Sequence, residues 1–188
     1  MNHTQLSDLE LLGRVIGIHE ARRLYAGTLT PLFKAVQEED EAQRKLAAAH
    51  ELVKRWLVEE LRRDVVFSSP ALVPAYLSAL FAGREYESFV VLFLDSQHRL
   101  IASEELFRGT IDSASVYPRE VVKAALRHNA GAVIFGHNHP SGVAEPSAAD
   151  RTLTDRLKQA LALVEVRVLD HFVLAGANAV SFAEKGWI

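Results

Sequence analysis

Four side chains in one short stretch have the types and spacing for metal chemistry. The stretch is Gly136-His137-Asn138-His139-Pro140-Ser141-Gly142-Val143-Ala144-Glu145-Pro146-Ser147-Ala148-Ala149-Asp150. In an extended backbone, side chains two apart point to the same face, so His137 and His139 can converge on one point. Pro140-Ser141-Gly142 reads as a turn. Pro146-Ser147 opens a helix, with Asp150 on its first turn. Two imidazoles and one carboxylate form the ligand set of a catalytic zinc with an open fourth position. Zinc in such a site lowers the pKa of a coordinated water towards ~7. By ligand type alone, manganese, cobalt and iron also remain compatible. A plainer reading stands beside this one. Ser147-x-x-Asp150 is also a capping-box-like helix start, with an acidic group favoured by the helix dipole.

The elements that must position these residues follow from the pattern around them. Ala132-Val133-Ile134-Phe135 is an apolar run predicting a short buried strand that stops at Gly136. Ala148 to Leu163 predicts a helix, and Val166 to Leu174 a strand. Upstream, Phe89 to Asp95 is β-branched and aromatic, which predicts a buried strand. Asp95 to His98 predicts a turn, Leu100 to Phe107 the next strand, and Pro118 the first turn of a helix reaching about Asn129. Val65-Val66-Phe67 leads to a helix start at Ser68-Ser69-Pro70, with Leu72 to Phe81 as that helix, ended by Gly83. Ala179 to Phe182 predicts a last short strand. The signals describe an α/β domain with a mixed sheet and helices on its faces.

Residues 5 to 65 read as helical. Ser7 is an N-cap with Glu10 as box partner, and Leu9, Leu11, Leu12, Val15 and Ile16 form an apolar face. Gly17 stops that helix, a second runs from Ile18 to Tyr25, and Pro31 fits the first turn of a third. Glu41 to Leu61 predicts one long helix, with Leu46, Ala47, Leu52, Trp56 and Leu57 as its apolar marks.

The 188 residues suit one ordinary domain and a smaller one, and 49% of them are hydrophobic, enough for a core. The net charge of -3 argues against a protein that coats nucleic acid. There is no cysteine, which excludes disulfides, thiolate metal sites and cysteine nucleophiles. No secretory signal or membrane-span-length apolar run is visible, so a cytoplasmic protein without membrane contact is expected.

The pattern His-x-His, seven residues, Ser-x-x-Asp resembles the JAMM signature of the MPN-domain metalloproteases. Three stretches together, Arg108-Gly109-Thr110-Ile111-Asp112-Ser113-Ala114-Ser115-Val116-Tyr117-Pro118-Arg119-Glu120-Val121-Val122, His137 to Gly142, and Arg167-Val168-Leu169-Asp170-His171, look like the RadC family. That family is a bacterial branch of the JAMM/MPN proteins. The likeness is strong over residues 67–188 and weak before them, which implies an MPN (JAMM) domain at 67–188 after a small all-helical region at 1–66.

The resemblance implies a JAMM-type zinc metallopeptidase that cleaves a peptide or isopeptide bond of a protein or peptide substrate. His137, His139 and Asp150 are then the metal ligands. Ser147 takes the family's oxyanion-supporting role, for which a hydroxyl donor is apt. The family's catalytic glutamate stands at the entrance to an earlier strand, and Glu87 aligns with it as general base and then general acid. Glu85, Glu104 and Glu105 are its competitors. His171 reads as hydrogen-bonded within its strand, or as a contact behind the ligands. Ser113, Ser115 and Tyr117 either line a groove or cap the Pro118 helix. Asn138 is expected to orient the ligand loop, and His3, His19, His50, His98 and His128 to be exposed and uninvolved.

Two further roles are weighed against the enzyme: a DNA-repair or DNA-processing accessory protein, and a non-catalytic MPN interaction module. Members of the RadC family carry a helix-hairpin-helix module whose Gly-x-Gly turn meets a DNA phosphate. This chain has no glycine between Gly27 and Gly83, and the corresponding stretch, Gln37-Glu38-Glu39-Asp40-Glu41, is acidic. Four consecutive carboxylates repel phosphate, so DNA contact through this region is not expected. A scaffold or homodimer surface is the better reading of it. No His-Glu-x-x-His and no phosphate-binding loop occur. Against the interaction-module reading, no ligand and no glutamate is missing.

Overall fold

A computed structural model describes residues 3–34, 40–63, 71–109, 116–176 and 178–188. The chain divides into two compact units, residues 1–56 and 57–188. The boundary expected at 66/67, the helix start at Ser68-Ser69-Pro70 and most of the acidic stretch lie outside the described residues.

The first unit holds α1 (Asp8–Ile16), α2 (Ile18–Leu24), α3 (Thr30–Lys34) and the start of α4 (Glu41–Arg63). Ser7 and Glu10 form the expected capping box on α1. Gly17 ends that helix at a positive φ of 92°, which a Cβ would disfavour. The core here is Leu12, Ile16, Ala21, Ala42 and Leu46, with Leu9 partly buried against it. Two expectations are corrected. Leu11 and Val15 are exposed, because the buried positions of α1 run 9, 12 and 16, the spacing of one helix face. On α4, Leu52 and Trp56 are 67% and 56% exposed, so the buried stripe passes from Leu46 to Leu57 without them.

The second unit is a five-stranded mixed sheet with the order β2-β1-β3-β4-β5. Its strands are β1 (Ser88–Leu94), β2 (Leu100–Arg108), β3 (Ala132–Asn138), β4 (Arg167–Ala175) and β5 (Asn178–Ser181). β1 pairs antiparallel with both β2 and β3, β3 pairs parallel with β4, and β4 antiparallel with β5. The helices are α5 (Leu72–Phe81), α6 (Pro118–Arg127) and α7 (Ala148–Ala162). The expected α/β architecture is therefore present.

Every residue of β1 and β3 is buried. Both strands are covered on two faces, which is why they read as unbroken apolar runs. One face, with Val90, Leu92, Leu94 and Ile134, packs on Val73, Tyr76 and Leu77 of α5. The other, with Phe89, Val91, Phe93, Val133 and Phe135, packs on Val121 and Ala125 of α6 and Leu157 and Leu161 of α7. Burying each large side chain contributes about 1.5–3 kcal/mol relative to exposure. Side-chain alternation along β3 then puts His137 on the α7 face, with Val133 and Phe135.

β3 does not stop at Gly136. It continues through His137 to Asn138, paired with β1 on one side and β4 on the other. The glycine has a different cause: a Cβ built there lies 2.8 Å from Leu77 Cδ1 and 2.9 Å from Cδ2. Gly136→Ala should therefore destabilise the protein by about 1–3 kcal/mol through overpacking. The cost of Gly136→Ala combined with Leu77→Ala should be less than the two separate costs added, because the pair shares one space. Urea unfolding midpoints of the three variants check this, and additive losses would contradict the steric cause.

Candidate metal centre

β3 carries His137 into the sheet's buried end, and His139 follows one step beyond. The His139 N–H donates to Leu174 O at 2.7 Å, which extends the hydrogen bonding between β3 and β4 past the last strand residue. Gly142 N–H closes the turn on His139 O, and Gly142 has a φ of 88°. The chain re-enters at Ser147, the N-cap of α7. Asp150 is fully buried on that first turn.

The Asp150 carboxylate divides its work between its two oxygens. Oδ2 accepts from the Ser147 N–H and the Ser147 hydroxyl, both at 2.7 Å. This is the capping box, so the plain reading of Ser147 and Asp150 holds. Oδ1 is buried with no hydrogen-bond partner. It lies 3.4 Å from His137 Nε2, and Oδ2 lies 3.9 Å from His139 Nε2. The two imidazole Nε2 atoms are 3.0 Å apart.

The protons on these rings can be assigned from their partners. His139 Nδ1 lies 2.8 Å from Val143 O, a carbonyl that can only accept, so Nδ1 carries the hydrogen. The Thr154 hydroxyl donates to Asp150 O at 2.7 Å. Its oxygen must then accept from His171 Nδ1, 2.6 Å away. A neutral His171 has only a lone pair left at Nε2, so the contact of 2.8 Å with His137 Nδ1 is a hydrogen bond donated by His137. Burial and the neighbouring His137 and His139 hold His171 well below its ordinary pKa, which keeps it neutral. Both rings therefore present bare Nε2 lone pairs to each other, beside the Asp150 carboxylate.

Three acceptors face one another with no donor among them. A proton on one ring could satisfy one pair, whereas a cation at the centre satisfies all three. Tetrahedral zinc ligands sit about 3.3 Å from each other, and His137 Nε2 lies 3.0 Å from His139 Nε2 and 3.4 Å from Asp150 Oδ1. The residues present fit a divalent cation. Among the described residues, His137, His139 and Asp150 form the single group of three or more such side chains whose ligand atoms converge, all within 4.8 Å.

The family profile of the RadC-like JAB domain matches residues 67–187. The chain belongs to the RadC-like JAB family. It is 51% identical over 201 aligned residues to a UPF0758 protein of Vibrio cholerae serotype O1 (strain M66-2), covering 97% of this chain and 90% of that one. A UPF0758 protein of Herminiimonas arsenicoxydans is 54% identical over 177 residues, with 93% and 79% covered. One from Janthinobacterium sp. (strain Marseille) is 61% identical over 142 residues, with 76% and 63% covered.

In this RadC-like JAB domain, Glu87 precedes β1, and the register pairing Phe89 with His137 brings it beside the ligand end of β3. Glu87 lines a small cleft with Ser88, Phe89, Arg108, Val116 and His137. The competing glutamates are placed differently. Glu104 lies 2.5 Å from Arg127 Nη2 and 2.6 Å from His128 Nε2. Burial raises its pKa, but the hydrogen bonds from His128 and Arg127 outweigh this and leave it below the ordinary carboxylate value. Glu105 lies 2.6 Å from Arg84 and accepts from the Ser88 hydroxyl at 3.1 Å. Glu85 is exposed.

Asn138, expected to orient the ligand loop, instead directs its side chain to the neighbouring strand's entrance. Its Oδ1 accepts from the Ser88 N–H at 2.8 Å, and its Nδ2 donates to Tyr86 O at 2.9 Å. It therefore holds the backbone on both sides of Glu87, while Gly109 N–H donates to Glu87 O. Thr154 was not legible in the sequence, since its hydroxyl matters only through a residue on another element. Of the five histidines expected to be exposed, His3 and His19 are. His50 and His128 are half-buried against Phe33 and Phe93, and His98 is also half-buried. None of the five joins the cluster. Ser113 and Ser115 lie outside the described residues, and Tyr117 caps α6 without a side-chain hydrogen bond.

Burial lowers the pKa of His137 from 6.5 to about 4, Asp150 opposing the shift and His139 adding to it. Asp150, His139 and His171 are the titratable groups it faces. Unfolded, the same ring takes its proton near pH 6.5. Between these values the unfolded chain binds more protons, so stability falls as pH falls. The metal-free protein should therefore lose stability through this group as pH falls from about 6.5 towards 4. His137→Gln should show a shallower slope. Chelator-treated urea titrations over that range check both, and an unchanged slope in the variant would contradict the assignment.

Proposed function

We propose that the chain is a zinc-dependent hydrolase of amide bonds, acting on a peptide or isopeptide bond of a protein or peptide substrate. The observation that carries this reading is the convergence of three acceptor atoms, one of them a buried carboxylate oxygen with no hydrogen-bond partner. A zinc ion bound there supplies a Lewis acid and a water acidic enough to be deprotonated near neutrality.

The chain's own residues would divide the remaining work. His137 and His139 offer bare Nε2 lone pairs, and Asp150 offers Oδ1 while Oδ2 stays on the helix cap. Glu87 is the general base, and then returns the proton to the leaving amine. Its shared cleft with His137 supports this role, as do the cations that occupy Glu104 and Glu105. The Ser147 hydroxyl hydrogen points at Asp150 Oδ2. To support an oxyanion it must turn from Oδ2 to the substrate oxygen, while the Ser147 N–H keeps hold of the carboxylate.

Metal content tests the first half of this reading. The purified chain should carry about one zinc per molecule, and both His137→Ala/His139→Ala and Asp150→Ala should lose it. Stoichiometric zinc retained by the double variant, measured by mass spectrometry of the metal, would overturn the site. Glu87→Gln tests the second half. It keeps size and hydrogen bonding, so zinc and fold should persist, while hydrolysis falls on the order of a hundredfold. The assay is a pool of fluorogenic peptides and lysine-linked isopeptides, with Glu85→Gln, Glu104→Gln and Glu105→Gln as controls that should stay near wild type. An active Glu87→Gln beside one dead control would reassign the base.

A further inference from the structure

His137 is held from behind by two residues that lie on different elements. Its Nδ1–H meets His171 Nε2 on β4, and His171 Nδ1–H meets the Thr154 hydroxyl on α7. The hydroxyl ends the run on the backbone carbonyl of Asp150. The path starts at one expected ligand and returns to the residue that supplies another. Its two intermediate side chains are sealed from solvent, His171 at 0% exposure and Thr154 at 1%. His171 is boxed by the rings of Phe89, Phe135 and Phe182, with centroids 5.6, 5.7 and 4.7 Å away. No water is needed to complete the run, since each donor has one acceptor and each acceptor one donor.

We propose that Thr154 and His171 form a strut that fixes the Nδ1–H tautomer of His137, so that the cation is held tightly only when α7 and β4 are docked on β3. The inference rests on His137 being a ligand, and it concerns two positioning residues rather than the reacting groups. The direction of the run is dictated by its end: a carbonyl cannot donate, so the hydroxyl hydrogen is committed and every proton upstream is ordered by it. Without the hydroxyl oxygen, His171 can carry its hydrogen on Nε2. That hydrogen would face His137 Nδ1, which would then become the acceptor and move its own hydrogen to Nε2. The lone pair needed for the cation would be blocked in that state. Orienting partners behind metal-bound histidines are typically worth ten- to a hundredfold in affinity.

Thr154→Val keeps shape and removes the oxygen, Thr154→Ser restores it, and His171→Phe keeps the aromatic packing. Zinc dissociation constants, measured by competition with a chromophoric chelator, should weaken ten- to a hundredfold in Thr154→Val and His171→Phe. Thr154→Ser should recover most of the loss. Unfolding midpoints read alongside separate this from a purely structural role, which would lower stability and leave zinc affinity unmoved; that result would overturn the proposal. Imidazole nitrogen-15 spectra of the metal-free chain give an independent reading. Wild type should show His137 protonated at Nδ1, and Thr154→Val a mixture of tautomers. Wild type protonated at Nε2 would overturn the strut. A wild-type chain that binds no zinc would instead overturn the metallopeptidase reading, and the tautomer spectrum would still decide the strut.

Discussion

The structure depends on where the ring protons of two histidines are kept. Each ring spends its hydrogen on Nδ1, His139 on the Val143 carbonyl and His137 on His171, which leaves both Nε2 atoms bare. Bare lone pairs 3.0 Å apart, next to an unpartnered carboxylate oxygen, are held against their mutual repulsion by the surrounding packing. The sheet's central strands, buried on both faces, supply that rigidity.

The same strands relate His137 and His139 to the glutamate that precedes β1. Asn138, between the two histidines in sequence, reaches across to the neighbouring strand and holds its backbone at Tyr86 and Ser88. A residue flanked by His137 and His139 thus sets the entrance of the strand that follows Glu87. Precision at a functional site comes from such placement on regular elements. Asp170 plays a comparable part at the other side of β4, where its carboxylate accepts from the Ser181 hydroxyl and from the N–H groups of His171 and Ala183.

Much of this was legible in the sequence because the signals were local. The apolar runs of β1 and β3, the caps at Ser7 and Ser147, and Pro118 at the start of α6 each declare themselves within a few residues. The convergence of His137, His139 and Asp150 was legible for the same reason. The misreadings came from tertiary causes. Gly136 resembled a strand terminus, yet it makes room for Leu77, 59 residues earlier in the sequence. Leu52 and Trp56 had the composition of a buried helix face, but the packed stripe of α4 runs elsewhere. His171 was already read as a contact behind the histidines, but Thr154 gave no sign of its part, since its hydroxyl acts only through a residue on another element.

One feature of the site's layout bears on how the protein is made. His137, His139 and Asp150 lie within fourteen residues of one another along the chain. Closing so short a loop costs little entropy. An ion that also binds the unfolded chain contributes correspondingly less to folding. During synthesis the Glu87 strand leaves the ribosome ahead of the ligands, while His171 and the last strand arrive after them. Because β4 brings His171, the contact behind His137 is completed only when the last strands have been made, so tight holding of a cation there would come late in synthesis.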